Sequence, residues 1–259
     1  SYQISEMIQC YQLLLLSGLL IVFLAEIPPA PEERPARKEE SARLAASPGT
    51  RGAPVHAKKA VNAILPTPKE TSFEEGFLSL RDTLSLYTDP QELAPLSDVL
   101  KEEFKSLYLT EIVPASGPEN ADIVLKMDDS LEDQAYRVQV KSRIEITGGS
   151  YRAVAMGSVS VLQSIIERPT DRYIRKGAIY DYPDLPFRGL MIDVARKKHG
   201  LSVLKQAVSL CRWYKVNYLQ LHLSDEKYFS FPSEAYPQLP TEGFHFSKEA
   251  LAEIGRAHV

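Results

Sequence analysis

The sequence predicts a small α+β domain followed by the first two strand-helix units of a truncated (β/α)8 TIM barrel. Between residues 62 and 181, short alternating apolar runs are flanked by two segments with helical spacing, the pattern of helices packed on a sheet. From residue 182 to residue 259 the pattern becomes strand, helix, strand, helix, which implies parallel strands joined by right-handed crossovers. A polar face on the second of these strands favours a barrel over an open sheet, because barrels carry their chemistry at the carboxyl ends of their strands.

The composition excludes several functional classes. The 259 residues carry 30 Lys and Arg against 34 Asp and Glu, so no basic surface for nucleic acid is expected. The two cysteines, Cys10 and Cys211, provide neither a disulfide framework nor a thiolate metal site. We expect no cofactor.

The first 26 residues have features of a signal sequence or a membrane anchor. Leu13 to Ala25 is a run of thirteen almost purely apolar residues. This is shorter than the roughly 20 residues that span a bilayer, which favours a cleaved signal. Because no Lys or Arg precedes the run, an uncleaved anchor and a mis-assigned start stay open. We expect an exported protein, in a periplasmic, extracellular or lysosome-like compartment, that contacts a membrane only if this segment is uncleaved.

Residues 27–61 are predicted to form a disordered linker. They are rich in Pro, Ala, Glu and Arg and contain no aromatic residue, so they lack the side chains needed to bury a core. Order is expected to begin near Ala63, where Pro66 and Pro68 fix an extended segment.

The small domain, residues 62–181, is predicted to pack two helices on a sheet. The first helix has an apolar stripe made of Val99, Leu100, Phe104 and Leu107. Three runs rich in apolar and β-branched residues predict strands: Ala121–Met127, Ala135–Lys141 and Arg143–Thr147. After a glycine pair, apolar residues from Tyr151 to Ile165 recur at helical spacing and predict a second amphipathic helix laid against the sheet.

Residues 182–259 contain the predicted barrel units. The run GLMIDVA, Gly189 to Ala195, predicts a short strand that is buried on both faces. Ser202 is expected to be the N-cap of a helix with an apolar stripe of Leu204, Ala207, Val208 and Cys211. In the next strand, Leu219, Leu221 and Leu223 are expected to face the covering helices, and Tyr218, Gln220, His222 and Ser224 to face the other way.

Two long motifs make the sequence similar to a known family. They are DYPDLPFRGLMIDVAR, Asp181 to Arg196, and YKVNYLQLHLSDE, Tyr214 to Glu226, and FPSEAYPQLP, Phe231 to Pro240, extends them. These residues resemble the family 20 glycoside hydrolases, the β-N-acetylhexosaminidases. The family's small α+β domain also has a Pro-x-Pro opening, so the similarity covers about residues 63–252. The resemblance implies that the substrate partner is an N-acetylhexosamine-terminated oligosaccharide.

The resemblance also implies roles for individual residues. Arg188 aligns with the arginine that binds hydroxyls of the terminal sugar, a task suited to a guanidinium because its fork holds two neighbouring oxygens at once. The alternative is a structural ion pair with Asp193 or Asp184. Asp225 aligns with an acidic residue that supports the active site, and His222 is either a neighbour in that network or a core histidine.

Two further expectations concern the carboxylates of these motifs. Asp193 interrupts an apolar strand and is expected to be architectural, paired with Arg196 or another barrel residue, because a buried carboxylate needs a partner. His222 and Asp225 offer only two metal ligands with no third nearby, so no metal is expected.

In the family, the 2-acetamido oxygen of the substrate attacks the anomeric carbon, an Asp holds the acetamido group, and the adjacent Glu is the general acid. That pair lies in a His-x-Gly-Gly-Asp-Glu context, which this chain lacks, so Asp225 and Glu226 are not the pair. We therefore expect no catalytic residue in this chain and expect the pair to lie beyond its recorded end. Residues 253–259, EIGRAHV, can be encoded by a common sequencing-adapter sequence and are suspected to be artefactual.

The leading functional hypothesis is an inactive amino-terminal fragment of an exported β-N-acetylhexosaminidase that acts on glycans or chitin oligomers. One alternative is a noncatalytic carbohydrate-binding or accessory protein that kept the small domain. Another is a membrane-tethered interaction protein that uses the Pro/Ala/Glu-rich linker.

Overall fold

The computed structural model describes residues 64–169 and 171–256. Residues 62–259 form one compact unit. The predicted signal segment and linker, residues 1–26 and 27–61, lie outside the described residues. Among the helices of the described residues, none has both the length and the apolar character needed to cross a membrane.

The first part of the unit is built on a mixed, eight-stranded sheet. Its strands are β1 Glu70–Leu80, β2 Thr83–Asp89, β3 Glu111–Pro114, β4 Ile123–Met127, β5 Tyr136–Val140, β6 Ile144–Gly148, β7 Ile165–Glu167 and β8 Arg172–Asp181. The spatial order is β1-β8-β5-β6-β4-β2-β3, and β7 pairs with β8. The predicted strands β4, β5 and β6 are confirmed, whereas β1, β2, β3, β7 and β8 were not predicted.

Two helices bury one face of this sheet. They are α1 Ala94–Tyr108 and α2 Tyr151–Ser164. In α1 the residues Leu100 and Phe104 are buried, and Val99 and Leu107 pack beside them, so the predicted stripe is confirmed. On β5, buried residues alternate with exposed ones along the strand, which is the pattern of a sheet covered on one side.

The helix α2 is more deeply buried than predicted. An amphipathic helix on a sheet should expose one side, but nearly all residues from Ala153 to Ser164 are buried. The reason is that α2 lies between the sheet and the second part of the unit, where Arg212 donates to the carbonyl oxygen of Ala155 and to Ser158 Oγ. The Ser150 side chain accepts the N–H of Ala153 and caps the helix.

The second part contains two parallel strands and two helices. The strands are β9 Gly189–Asp193 and β10 Tyr218–His222, and the helices are α3 Leu201–Trp213 and α4 Lys248–Arg256. The strands pair in register from Tyr218 opposite Gly189 to His222 opposite Asp193. The expectation of adjacent strands that run in the same direction is confirmed, and closure of a full barrel stays a prediction.

Two details of this part differ from expectation. Gly200, rather than Ser202, is the N-cap of α3, because the helix begins at Leu201 and Ser202 lies within its first turn. The strand β9 is not buried on both faces, and Met191 is 59% exposed. Helices cover one face of the β9–β10 pair through Leu219, Leu221 and Leu223, as predicted, and no described element covers the other face.

Candidate sugar-binding site

Four polar side chains meet just beyond the carboxyl ends of β9 and β10. They are Asp193, Arg196, His222 and Asp225, and we call them the carboxyl-end cluster. Asp193 and His222 are the last pair of opposite residues in β9 and β10. Arg196 comes three residues after Asp193, and Asp225 comes three residues after His222, so these two residues also lie close together. The carboxyl ends of parallel strands are where α/β barrels place their binding groups.

Asp193 is fixed by the backbone that follows it. Its Oδ1 accepts the N–H groups of Ala195 and Arg196, each at 2.9 Å, and its Oδ2 lies 3.2 Å from Arg196 Nη1. Partial burial acts to raise the pKa of Asp193, but these N–H groups and the guanidinium outweigh it and lower the pKa. The prediction that Asp193 is architectural and paired with Arg196 agrees with these contacts.

Asp225 is the acceptor at the centre of the cluster. Its Oδ2 lies 2.8 Å from His222 Nε2 and 2.8 Å from Arg196 Nη2, and its Oδ1 accepts the N–H of Glu226 at 2.7 Å. The contact with His222, helped by the Glu226 N–H and Arg196, lowers the pKa of Asp225 to about 2. The carboxylate is therefore ionised at physiological pH and holds the guanidinium of Arg196 in place.

Arg196 bridges the two carboxylates and still exposes 59% of its side chain. Asp225 first, and then Asp193, raise the pKa of Arg196. A guanidinium has five N–H donors. Among the described residues, Arg196 Nη1 contacts Asp193 and Nη2 contacts Asp225, and Nε makes no hydrogen bond. Arg196 is thus oriented by protein acceptors and retains donors for a ligand.

Arg188, the sugar ligand predicted from the sequence, lies at the opposite end of β9. Its Nε donates to the carbonyl oxygen of Lys215 at 2.8 Å, and its Nη1 donates to Gln134 Oε1 at 2.9 Å and to the carbonyl oxygen of Leu185 at 2.8 Å. Its Nη2 lies 3.3 Å from Met156 Sδ. Burial, and then repulsion from a neighbouring arginine, lower the pKa of Arg188.

Arg188 pairs with neither Asp193 nor Asp184 in the described residues, so the alternative of an ion pair with either of them is wrong. The structure separates Arg188 from His222 and Asp225, which it brings together. The geometry therefore places Arg196, and not Arg188, beside His222 and Asp225. The sequence held a signal for this choice, because Arg196 follows the apolar run and Arg188 precedes it.

A cavity of about 360 Å³ lies on the amino-terminal side of β9 and β10. It is lined by residues of α2 and α3 and by residues that precede the two strands, Arg188 and Asn217 among them. The hydroxyl of Tyr151 in its wall is buried and has no hydrogen-bond partner among the residues that the structure describes. This cavity belongs to the contact between the small domain and the strand pair rather than to the carboxyl-end cluster.

The expectation that His222 and Asp225 have no third metal ligand nearby is wrong. Ligand atoms of Asp193, His222 and Asp225 all lie within 4.8 Å of one another, because strand register brings Asp193 opposite His222. The guanidinium of Arg196 contacts both carboxylates and supplies the positive charge that they need. In the described residues, the two carboxylates of the cluster are therefore paired with a guanidinium. The expected absence of a metal stays a prediction.

Family comparisons cover both parts of the chain. The model for glycosyl hydrolase family 20, domain 2, matches residues 61–182, and the model for the family 20 catalytic domain matches residues 185–255. A beta-hexosaminidase subunit beta of Entamoeba histolytica is 34% identical over 126 residues, 47% of this chain and 22% of that protein. A beta-hexosaminidase of Vibrio vulnificus is 30% identical over 183 residues, 70% of this chain and 21% of that protein.

Solved structures share the fold. The GH20 β-N-acetylhexosaminidase of Streptomyces coelicolor matches with a TM-score of 0.68 and 21% identity over 75% of this chain and 43% of that one. A Vibrio harveyi exo β-N-acetylglucosaminidase solved in complex with N-acetylglucosamine matches with a TM-score of 0.66 and 20% identity, over 75% of this chain and 34% of that one. The chain spans about a fifth of the two sequence relatives described above.

Proposed function

Because the chain belongs to glycosyl hydrolase family 20, we propose that the complete protein is a β-N-acetylhexosaminidase. It removes terminal N-acetylglucosamine or N-acetylgalactosamine from glycans or chitin oligomers. The names of the sequence relatives support this activity, and the N-acetylglucosamine bound to the Vibrio harveyi enzyme supports the class of sugar.

The observation that carries the proposal is the orientation of Arg196 by two ionised carboxylates. Asp193 and Asp225 each contact one terminal nitrogen of its guanidinium, and the remaining donors face no described acceptor. Two adjacent sugar hydroxyls present oxygens at the spacing that a guanidinium fork can bind together. In this proposal Arg196 holds the hydroxyls of the terminal sugar, and His222 and Asp225 hold Arg196.

The proposed chemistry is substrate-assisted and retains the anomeric configuration. The acetamido oxygen of the substrate attacks the anomeric carbon, and a carboxylic acid protonates the leaving oxygen. Glu226, which follows Asp225, does not fit the acid, because it lacks the His-x-Gly-Gly-Asp-Glu context. The acid and the residue that holds the acetamido group are proposed to come from residues that this chain does not include.

Export is part of the proposal and is supported by the apolar run Leu13 to Ala25. Amino-terminal sequencing of the secreted protein tests it. The expected result is a mature terminus after this run. A protein that stays in the cytoplasm with the run intact would contradict export and leave the enzymatic proposal standing.

The activity is tested by assaying the complete protein on two chromogenic substrates that differ only in the 2-substituent. We expect hydrolysis of 4-nitrophenyl N-acetyl-β-glucosaminide and no measurable hydrolysis of 4-nitrophenyl β-glucoside, because the second lacks the acetamido oxygen that attacks the anomeric carbon. Proton NMR should show the β-anomer as the first product. Equal hydrolysis of the two substrates, or an α-anomer as first product, would refute the mechanism.

A further inference from the structure

The turn between α3 and β10 inserts a charged side chain into the small domain. Lys215 has a left-handed backbone, with φ of 58°, and is 6% exposed. Its Nζ donates to Tyr136 Oη at 2.7 Å and to Asp181 Oδ2 at 3.3 Å. Tyr136 Oη in turn donates to Asp181 Oδ2 at 2.7 Å and lies 2.6 Å from Ser160 Oγ.

Both acceptors of Lys215 belong to the small domain, Tyr136 on β5 and Asp181 on β8. So does Ser160 on α2, which contacts Tyr136. Burial lowers the pKa of Lys215, and Asp181 opposes this effect. Removal of one partner from a buried ion pair leaves an uncompensated charge, so this contact holds the turn firmly.

The backbone of the same turn fixes the starts of both strands. The carbonyl oxygen of Lys215 accepts Arg188 Nε at 2.8 Å, immediately before β9. Asn217, immediately before β10, accepts the Arg188 N–H through Oδ1 at 2.8 Å and donates to the carbonyl oxygen of Pro186 at 2.8 Å. The carbonyl oxygen of Arg188 accepts the N–H groups of Asn217 and Tyr218 at 3.0 and 3.1 Å.

These bonds lie at the amino ends, and the carboxyl-end cluster lies at the other end of the same two strands. In a parallel pair, the register at one end determines the register at the other. A shift by one residue reverses the face on which each side chain lies. The alignment that sets Tyr218 opposite Gly189 also sets His222 opposite Asp193 and brings Arg196 to Asp225.

We propose that Lys215 and Arg188 are positioning residues through which the small domain sets the register of β9 against β10, and with it the contact between Arg196 and Asp225. The small domain then takes part in sugar binding without touching the sugar. This inference rests on the proposed function, because the contact that is positioned is the one assigned to the sugar.

The chain offers a matched control at the same interface. Arg212 on α3 pairs with Glu103 on α1, with Nε to Oε1 at 2.5 Å and Nη2 to Oε2 at 2.6 Å. This ion pair also joins the small domain to the second part, but it bonds neither to Arg188 nor to Asn217. A loss of interface stability should appear in both Lys215→Met and Arg212→Met, whereas a loss of register should appear only in Lys215→Met.

The test uses the complete protein as wild type, Lys215→Met, Arg212→Met and Asn217→Ala, at a temperature where circular dichroism shows all to be folded. Two quantities are measured: kcat/KM on 4-nitrophenyl N-acetyl-β-glucosaminide, and the imidazole NMR resonances of His222. We expect Lys215→Met and Asn217→Ala to lower kcat/KM by about tenfold or more and to move the His222 resonances, because small displacements of binding groups are costly. Arg212→Met should leave both quantities near wild type.

If Lys215→Met does not fold, Asn217→Ala provides the test. Within residues 64–169 and 171–256, the Asn217 side chain bonds only to backbone groups of Arg188 and Pro186. Wild-type kcat/KM and unmoved His222 resonances in Asn217→Ala would overturn the inference, as would an equal loss in Arg212→Met. A wild-type protein that hydrolyses no N-acetylhexosaminide would refute the proposed function instead. The His222 resonances would still test the positioning.

Discussion

The two ends of β9 carry the same side chain in opposite situations. Arg188 precedes the strand and donates to acceptors in both parts of the unit, Gln134 Oε1 in the small domain and the carbonyl oxygen of Lys215 in the second part. Arg196 follows the strand, is 59% exposed, and forms ion pairs with two carboxylates in the described part of the chain. Position along the strand, rather than residue type, therefore separates an arginine that stabilises the fold from one whose donors stay accessible to a ligand.

The strongest test of this contrast is the stability of Arg188→Met. The substitution removes donors from Gln134 Oε1 and from the carbonyl oxygens of Leu185 and Lys215. Because the part-buried acceptors on Gln134 and Lys215 would lose their donors, we expect the free energy of unfolding to fall by about 2 kcal/mol. Urea denaturation measures this loss. The matched variant Arg196→Met should change stability little, because exposed ion pairs contribute little, and equal losses in both variants would break the comparison.

The converse test is the activity of Arg196→Lys. A lysine keeps the charge but cannot hold two hydroxyls with a fixed fork, so we expect kcat/KM of the complete protein to fall by about 100-fold, mainly through a higher KM. Steady-state kinetics on 4-nitrophenyl N-acetyl-β-glucosaminide provide the measurement. Lys197→Gln removes the adjacent exposed cation and should leave kcat/KM unchanged. A similar loss in both variants would mean that only the net charge matters.

A smaller loss of stability, without a loss of sugar binding, is expected when an ion pair between the small domain and the second part is broken. Arg212→Met breaks the part-buried pair with Glu103, and we expect the free energy of unfolding to fall by about 1.5 kcal/mol. The KM for the N-acetylglucosaminide should not change, since Arg212 touches no member of the carboxyl-end cluster. Thermal denaturation and kinetics on the same preparation measure both quantities. An increase in KM would show that loss of this ion pair disturbs the carboxyl-end cluster as well as the interface.

The smallest expected effect is the loss of stability when Asp225 in the carboxyl-end cluster is protonated at low pH. The pKa of Asp225 is lowered from 3.8 to about 2, first by His222 and then by the Glu226 N–H and Arg196. Because the pKa of Asp225 is lower in the folded state, the ionised carboxylate stabilises the fold at pH values above the pKa of the unfolded state. This contribution is lost as the pH falls through about 2. A carboxyl-carbon NMR titration should therefore give a midpoint near 2 for Asp225. A midpoint near 3.8 would indicate that the contacts do not persist in solution.

Local patterns allowed part of the fold to be predicted from the sequence. The stripe on α1 and the alternation in β5 report packing within one element, so both elements were found. The strand β1, ETSFEEGFLSL, is almost entirely exposed at a sheet edge and is held by backbone pairing with β8. Because its side chains do not alternate between buried and exposed positions, the sequence pattern did not predict this strand.

The site was only partly predictable for a related reason. Asp225 and His222 lie three residues apart, and the sequence could associate them. Asp193 joins them only through the register of two strands whose ends are about thirty residues apart in the chain. The choice between Arg188 and Arg196 depends on where β9 begins and ends. The apolar run indicates those limits, but the family resemblance assigned the sugar-binding role to the arginine that precedes the run.

The central claim is that the carboxyl end of β9 binds the sugar through Arg196. A crystal structure of the complete protein with N-acetylglucosamine tests it most directly. We expect two hydroxyls of the sugar to accept hydrogen bonds from the Arg196 guanidinium, and Arg188 to keep its bonds to Gln134 and Lys215. A sugar bound by Arg188 on the amino-terminal side of the strands would contradict it.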